Sequence, residues 1–266
     1  MNETTGEIQP FRIDVPQAAL DDLQGRLRHT RWPDVAPGDD WSYGVARSRV
    51  QELVRYWVDE YEWRQQKARL NAFAQGLTTI EGQRIHFLHA GSPEPDALPL
   101  VLTHGWPGSV VEFLGVIGPL IDPRAHGADP ADAFHVVAPS LPGYGFSGPT
   151  TEEGWDSQRI ARAWVELMHR LGYDRFGVQG GDWGSIVSPD IGRAAPDRVV
   201  GVHVNALVTP IPQDPSAMEA LTDDERVRVE LIRRWYRERS GYAAIQATRP
   251  PSPGVPAKRS LRSFVG

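Results

Sequence analysis

The feature that most constrains this chain is a short run in which glycines stand on both sides of an aspartate. The run reads Arg175-Phe176-Gly177-Val178-Gln179-Gly180-Gly181-Asp182-Trp183-Gly184-Ser185. Its first half is apolar and predicts a short strand, and the residues after Gly184 can begin a helix. A strand-to-helix turn this tight needs small neighbours, because the backbone folds back on itself. The run therefore predicts a sheet that holds the Asp182 side chain at the end of a strand.

The residue at the top of this turn indicates a kind of chemistry. In G-x-S-x-G turns the same position carries a nucleophilic serine. A carboxylate that attacks carbon from this position forms an alkyl ester. The turn therefore indicates covalent catalysis on an electrophilic carbon, with Asp182 as the candidate nucleophile.

Strands and helices are predicted to alternate through the middle of the chain. Apolar runs predict strands, and amphipathic stretches between them predict helices. The strands are expected at 98–103, 134–138, 176–179 and 199–204, and the helices at 110–120, 160–171 and 185–193. This alternation is typical of an α/β fold with a mostly parallel sheet flanked by helices. Ligands of such sheets bind at the carboxyl ends of the strands.

The two ends of the chain have different patterns. We expect a short amphipathic helix at 17–29, a single longer helix at 44–73, a hairpin at 77–90 and a charged helix at 218–240. A proline-rich stretch followed by basic residues predicts a disordered tail at 250–266.

Composition and charge narrow the possible partners. The chain has 266 residues, a net charge of −6 and no cysteine. The negative charge argues against nucleic acid or an anionic membrane as the main partner. The N-terminus lacks the basic and apolar regions of a signal peptide, and no apolar run is long enough to cross a bilayer. We therefore expect a cytoplasmic protein without a membrane anchor; its oligomeric state stays open.

Two further motifs follow predicted strands and are expected at the same edge of the sheet. The first is His104-Gly105-Trp106-Pro107-Gly108, and the second runs from Pro139 to Ser147. The backbone N–H groups of Trp106 and Trp183 are predicted to form an oxyanion hole. His104, Gly105 and Pro107 are supporting residues, and His104 is expected to hold its loop through hydrogen bonds. No metal cluster or nucleotide-binding loop is evident, so neither a metal nor a cofactor is expected.

These motifs together resemble the epoxide hydrolases of the α/β-hydrolase fold, and most closely the microsomal-type branch with its extra N-terminal segment. The N-terminal part carries further matching residues: Phe11-Arg12-Ile13, Arg31-Trp32-Pro33, Tyr56-Trp57 and Tyr61-Glu62-Trp63-Arg64. The resemblance covers about residues 8–249. It implies an N-terminal segment at 1–92, an α/β-hydrolase core at 93–210 and a partial cap at 211–249.

The resemblance also implies an activity (EC 3.3.2 type) and roles for the site residues. Asp182 would be the nucleophile, Trp106 and Trp183 the oxyanion-hole donors, and Tyr242 of the cap the proton donor. The substrates would be a small apolar epoxide and water, and the product a vicinal diol formed through the ester. Aromatic residues near the site are compatible with an apolar substrate. The biological role that the resemblance implies is the detoxification of aromatic or xenobiotic epoxides.

The pattern departs from the family after the nucleophile. Hydrolases of this fold place an acid and then a histidine after the nucleophile. The only histidine after Asp182 is His203, in an apolar run that predicts a strand and a core position, and Asp214 is a weak candidate for the acid. The relay acid, the base histidine and the last strands are expected beyond residue 250. We therefore expect a truncated or frame-shifted epoxide hydrolase that forms the ester without sustained turnover.

Two other functions are compatible with these motifs. A haloalkane dehalogenase-like hydrolase would use the same aspartate, although the N-terminal segment and the sequence around Tyr242 favour the epoxide. The missing histidine would also suit a remnant that binds ligands without catalysis.

Overall fold

The computed structural model describes residues 6–35, 37–38, 41–206 and 211–249. The chain forms two compact units, Met1–Leu207 and Val208–Gly266. In the first unit, helices flank one seven-stranded sheet, and the described part of the second unit is helical. The predicted tail at 250–266 lies outside the described residues.

The sheet combines parallel and antiparallel strands. In chain order the strands are β1 (Gln9–Phe11), β2 (Ala74–Ile80), β3 (Gln83–Ala90), β4 (Leu98–Thr103), β5 (Phe134–Pro139), β6 (Phe176–Gly181) and β7 (Val199–Asn205). Their order across the sheet is β1-β2-β3-β5-β4-β6-β7. Strands β4, β5, β6 and β7 run parallel to one another. The pairs β1–β2, β2–β3 and β3–β5 are antiparallel. The predicted parallel strands are all present.

The helices account for most of the remaining regular structure. They are α1 (Gln17–Arg28), α2 (Arg47–Asp59), α3 (Trp63–Leu70), α4 (Ile117–Ile121), α5 (Ser157–Arg170), α6 (Trp183–Ala194), α7 (Pro215–Glu219), α8 (Asp223–Arg239) and α9 (Gly241–Thr248). The helices predicted at 17–29, 160–171 and 185–193 agree with α1, α5 and α6 within a few residues. The helix predicted at 218–240 begins later than expected, at Asp223 of α8, because α7 ends at Glu219.

The predicted hairpin is present, and its turn is short. Only Glu81 and Gly82 separate β2 from β3, and both have positive φ, 49° and 78°. Two consecutive positive φ values are typical of the type I′ turn, whose twist matches that of the flanking strands. Because β3 also pairs with β5, the N-terminal segment contributes strands to the same sheet as the parallel strands.

The prediction of one helix over 44–73 was wrong. The carbonyl of Tyr56 accepts hydrogen bonds from the N–H groups of both Glu60 and Tyr61, each at 2.9 Å. This closes α2, and the chain changes direction before α3 begins. The half-buried Trp63 then packs against apolar residues on one face of the sheet. Tertiary packing therefore overrides a helical period that continues through the break.

The helix predicted at 110–120 is also interrupted. Residues Val110–Phe113 form a 3₁₀ turn, in which the Ser109 hydroxyl accepts from the N–H of Val111, and α4 begins only at Ile117. Gly115 lies in the break, where its low helix propensity favours an interruption.

The two faces of the sheet bury two separate apolar clusters. Successive residues of a strand point to opposite faces, so Val101 packs with α5 and α6 whereas Leu102 packs with α3 and α4. On the first face Trp164 is fully buried, and its indole N–H donates to the Thr103 hydroxyl at 3.1 Å. This bond attaches α5 to the last residue of β4.

The prediction that His203 is a core histidine was wrong. His203 lies on β7, and most residues of that strand are exposed. Val200 and Val202 keep 44% and 45% of their surface exposed. Among the described residues β7 is the terminal strand of the sheet, which explains an apolar run without a buried face.

In the described part of the chain, no helix is long and apolar enough to cross a bilayer.

Candidate active site

Three connections meet at the carboxyl ends of neighbouring parallel strands. Strand β4 lies between β5 and β6, and the three run in the same direction. The segment starting at His104 follows β4, the segment starting at Ser140 follows β5, and Asp182 follows β6. All three motifs of the sequence therefore lie at one edge of the sheet.

The turn at Asp182 has a backbone that requires its glycines. Asp182 has φ 53° and ψ −119°, values that non-glycine residues rarely adopt outside functional sites. A Cβ atom added to Gly180 would lie 2.2 Å from the carbonyl oxygen of Gly184. One added to Gly184 would lie 2.0 Å from the carbonyl oxygen of Thr103. The close approach of α6 to β4 and β6 therefore excludes any side chain at these two positions.

The Asp182 carboxylate is oriented by two backbone donors. The N–H groups of Trp106 and Trp183 each donate to Oδ1 at 2.8 Å. In the described part of the chain no hydrogen bond reaches the other oxygen, Oδ2. The arrangement leaves one oxygen for attack on a substrate and holds the other. If Oδ2 formed an ester, Oδ1 would become its carbonyl oxygen, already facing two donors.

Gly105 allows the loop after β4 to approach Asp182. A Cβ atom at Gly105 would lie 2.5 Å from Cβ and 2.6 Å from Oδ1 of Asp182. The next peptide bond, between Trp106 and Pro107, is cis. Trp106 can therefore direct its N–H at the carboxylate only because residue 105 lacks a side chain.

His104 connects two of the three loops. The ring is buried, its Nε2 accepts from the N–H of Leu141 at 3.0 Å, and its Nδ1–H donates to the carbonyl of Gly105 at 2.9 Å. Because the N–H of Leu141 can only donate, the ring proton must lie on Nδ1. Burial lowers the pKa of His104, so the ring stays neutral. These two hydrogen bonds connect the loop after β5 to the loop that carries Trp106, and the supporting role of His104 in catalysis stays a prediction.

The Tyr144 side chain lies beside both His104 and Asp182. Its ring meets that of His104 edge to face, with centroids 5.5 Å apart. Burial and then the charge of Asp182 raise the pKa of the Tyr144 phenol, which stays protonated.

A set of polar side chains that the sequence did not reveal supports these loops. His86 of β3 is fully buried, with Nε2 2.9 Å from Oε1 of Gln75 and Nδ1 2.9 Å from Oγ of Ser140. Gln75 in turn donates to Oδ1 of Asn71 at 3.1 Å. We refer to Asn71, Gln75, His86 and Ser140 as the polar chain. Its sequence signal is limited to a glutamine in β2 and a histidine in β3, and neither strand marks these two residues apart from its other polar residues.

The polar chain joins the N-terminal segment to the loop after β5. Asn71 accepts from the N–H of Ile13 at 3.0 Å and donates to its carbonyl at 2.9 Å. At the other end, Ser140 immediately precedes Leu141, whose N–H bonds to His104. Hydrogen bonds therefore continue from β1 and its following residues to the loop that holds Trp106.

The remaining candidates lie in the second unit. Tyr242 is the second residue of α9, with 54% of its surface exposed, and its catalytic role stays a prediction. Asp214 caps α7 by accepting from the N–H of Ser216, whose hydrogen bonds lower the pKa of that carboxyl group. The capping of α7 is sufficient to explain an aspartate at position 214, and no catalytic role is needed.

Metal binding has no visible basis in residues 6–35, 37–38, 41–206 and 211–249, since no three histidine, aspartate or glutamate side chains come together there.

The fold and the turn at Asp182 define an α/β-hydrolase whose elbow carries an aspartate. Residues 99–241 match the model of the alpha/beta hydrolase fold, and residues 8–113 match that of the epoxide hydrolase N terminus. The chain therefore belongs to the α/β-hydrolase family and carries the N-terminal region of its epoxide hydrolases. The fold class and the family resemblance predicted from the sequence are confirmed.

Named relatives agree with this assignment. A putative epoxide hydrolase of Stigmatella aurantiaca is 47% identical over 248 residues, covering 93% of this chain and 56% of the relative. Epoxide hydrolase 1 of Oryctolagus cuniculus is 36% identical over 202 residues, covering 74% and 44%. The chain thus spans about half the length of these curated relatives.

Solved structures show the same fold. Aspergillus niger epoxide hydrolase superimposes with a TM-score of 0.79 at 32% identity, covering 93% of this chain and 65% of the other. Juvenile hormone epoxide hydrolase of Bombyx mori gives 0.75 at 30% identity, covering 94% and 59%.

Proposed function

We propose that this chain carries the nucleophilic half of an epoxide hydrolase site and forms an alkyl ester on Asp182. The observation that carries the proposal is the pair of backbone N–H groups on Oδ1, which leaves Oδ2 for the attack. The relatives named above are epoxide hydrolases, and this favours an epoxide as the electrophile. The substrates would be a small apolar epoxide and water.

The chemistry follows from the geometry of the carboxylate. Oδ2 attacks one ring carbon, the bond from that carbon to the epoxide oxygen breaks, and the oxygen takes a proton. A tyrosine suits this transfer because its phenol is protonated at neutral pH, and Tyr242 is the proposed donor. Water then attacks the carbonyl carbon of the ester, and negative charge develops on Oδ1. The N–H groups of Trp106 and Trp183 would stabilise that charge before the diol leaves.

The second half of the reaction needs a base to activate water. Within residues 1–266 the only histidine after Asp182 is His203, which lies on an exposed strand. We therefore propose that this chain accumulates the ester and turns over slowly, whereas the activity of a longer protein would depend on residues outside it.

Intact-mass spectrometry tests the proposal directly. The chain is incubated with phenyloxirane, and we expect a gain of one epoxide mass, located on Asp182 by peptide mapping. Asp182→Asn is the matched control, because its amide oxygen can still accept from both N–H groups but cannot attack. An adduct of equal yield in the control would refute Asp182 as the nucleophile.

The same preparation distinguishes the alternatives. Chloride release from a chloroalkane, with no reaction with the epoxide, would favour a dehalogenase. Many diol molecules formed per chain would show that hydrolysis proceeds, and its loss in His203→Ala would assign the base to His203. Binding of the epoxide without an adduct would favour a non-catalytic remnant.

A further inference from the structure

A cavity of about 290 Å³ lies beside the turn at Asp182, entirely within the first unit. Its floor consists of three buried apolar side chains from three different segments: Leu141 of the loop after β5, Ile160 of α5 and Val187 of α6. All three belong to the apolar cluster on that face of the sheet. The floor is therefore fixed by the core and not by mobile surface groups.

The walls of the cavity are aromatic. Tyr144, Trp155 and Trp183 line it, and each keeps part of its surface exposed. The guanidinium group of Arg159 lies 4.2 Å from the centre of the Trp155 ring and is itself held by Glu81 at 2.8 Å. This stacking orients Trp155 before any ligand binds.

The cavity begins one residue from the nucleophile. Trp183 follows Asp182 directly, and Val187 lies one turn further along the same face of α6. Four residues of helix correspond to roughly 6 Å. Tyr144, which also lines the cavity, is close enough to Asp182 for the carboxylate to raise the pKa of its phenol. A group attached to a carbon under attack at Oδ2 therefore has a short path into the cavity.

We propose that this cavity binds an aryl substituent of the epoxide whose ring carbon Asp182 attacks. The inference rests on the proposed function, since it assigns the place of one part of that substrate. A cavity of about 150 Å³ is enough to hold benzene, so this one accommodates a phenyl group with a short linker. Three aromatic walls also favour a flat ring, which can pack edge to face or offset against them.

A substitution that fills the cavity provides the test. Ser157 lines it as the first residue of α5, at a position outside the buried core. Ser157→Phe would occupy the space needed by the substrate ring. Gln158→Phe is the matched control, because Gln158 is the next residue of the same helix, is exposed, and does not line the cavity.

The readout is the rate of adduct formation on Asp182, by intact mass, for phenyloxirane and for methyloxirane. We expect Ser157→Phe to lower the rate of adduct formation with phenyloxirane at least tenfold. The rate with methyloxirane should change less than twofold. Gln158→Phe should leave both rates within twofold of the parent chain. Equal rates for the phenyl compound in all three proteins, or an equal slowing of both epoxides in Ser157→Phe, would overturn the cavity assignment and leave the proposed function intact.

A second variant covers the case in which Ser157→Phe fails to fold. Trp155→Leu keeps an apolar wall but removes its aromatic face, and it should reduce the preference for phenyloxirane over cyclohexyloxirane severalfold. An unchanged preference would contradict the role of the aromatic walls. If the parent chain forms no adduct with any of these epoxides, the proposed function itself fails, and the substrate assignment of the cavity fails with it.

Discussion

The buried imidazole of His86 should make the stability of this protein depend on pH in a defined interval. Its side chain is fully buried between Gln75 and Ser140. The Oε1 atom of Gln75 can only accept, so Nε2 carries the proton and Nδ1 accepts from the Ser140 hydroxyl. Burial, followed by the positive charge of Arg84, lowers the pKa of His86 to about 4.

The sign and size of the effect follow from the two pKa values. In the unfolded chain His86 takes up a proton below about pH 6.5, whereas in the folded chain it does so only near pH 4. The stability contributed by the neutral ring is therefore complete above about pH 6.5 and is lost as the pH falls toward 4. One pKa unit corresponds to about 1.4 kcal/mol, so the loss between pH 7.5 and 5 is roughly 2 kcal/mol.

Urea unfolding of the parent chain and of His86→Gln at both pH values measures this contribution. Glutamine does not titrate, and its amide can bond to both Gln75 and Ser140. We expect His86→Gln to be less stable at pH 7.5, because the smaller side chain packs less well. Between pH 7.5 and 5, however, the parent chain should lose about 2 kcal/mol more than the variant.

His89 and His104 also have pKa values lowered by burial and add to the acid sensitivity of both proteins. The contribution of these two histidines to the loss of stability cancels in the comparison, because the parent chain and His86→Gln both contain them. Parallel loss of stability in the parent chain and in His86→Gln would refute the reasoning. It would mean that the ring is protonated in the folded state without a penalty.

Two other substitutions test local parts of the structure. Gly105→Ala should reduce adduct formation by a factor of about 100 or more, because the new Cβ atom would lie 2.5 Å from Cβ of Asp182 and displace the Trp106 donor. Gly115→Ala is its control, since a Cβ atom there meets nothing within 4 Å, and intact-mass kinetics should show no change. Thr222→Ala should lower the helicity of α8 seen by circular dichroism and cost about 1 kcal/mol, because it removes the capping box that Thr222 forms with Glu225. Unchanged helicity would contradict that role for the cap.

The sequence predicts those parts of the fold that depend on residues close together in the chain, such as apolar runs and the glycines that end them. The strand before Asp182 and the helix after it follow from apolar residues that meet at glycines, and the clash distances at Gly180 and Gly184 show why no other residue would serve. Strands β4, β5 and β6 are predicted for the same reason, since each short apolar run ends in a loop rich in glycine or proline.

The parts that the sequence does not predict depend on contacts between distant residues. The break between α2 and α3 leaves the helical period intact and is set by the packing of Trp63 on the sheet. The exposure of His203 depends on which strands lie beside β7, and an apolar run does not contain that information. The pairing of β3 with β5 likewise has no signal in either strand alone.

The polar chain suggests why an N-terminal segment of this kind accompanies a hydrolase core. In the proposed reaction, the N–H of Trp106 must meet Oδ1 of Asp182 within a few tenths of an ångström to stabilise charge there. Its loop is held by His104, and His104 is held by the loop after β5. That loop is fixed in turn by the polar chain, whose last contact is the backbone of Ile13. A buried polar group without its partner costs about 1–3 kcal/mol. Loss of one hydrogen bond in the polar chain would therefore leave its neighbour without a partner, which favours the state in which all of these bonds are formed. The N-terminal segment therefore forms part of the frame that positions the N–H group of Trp106 at the Asp182 carboxylate.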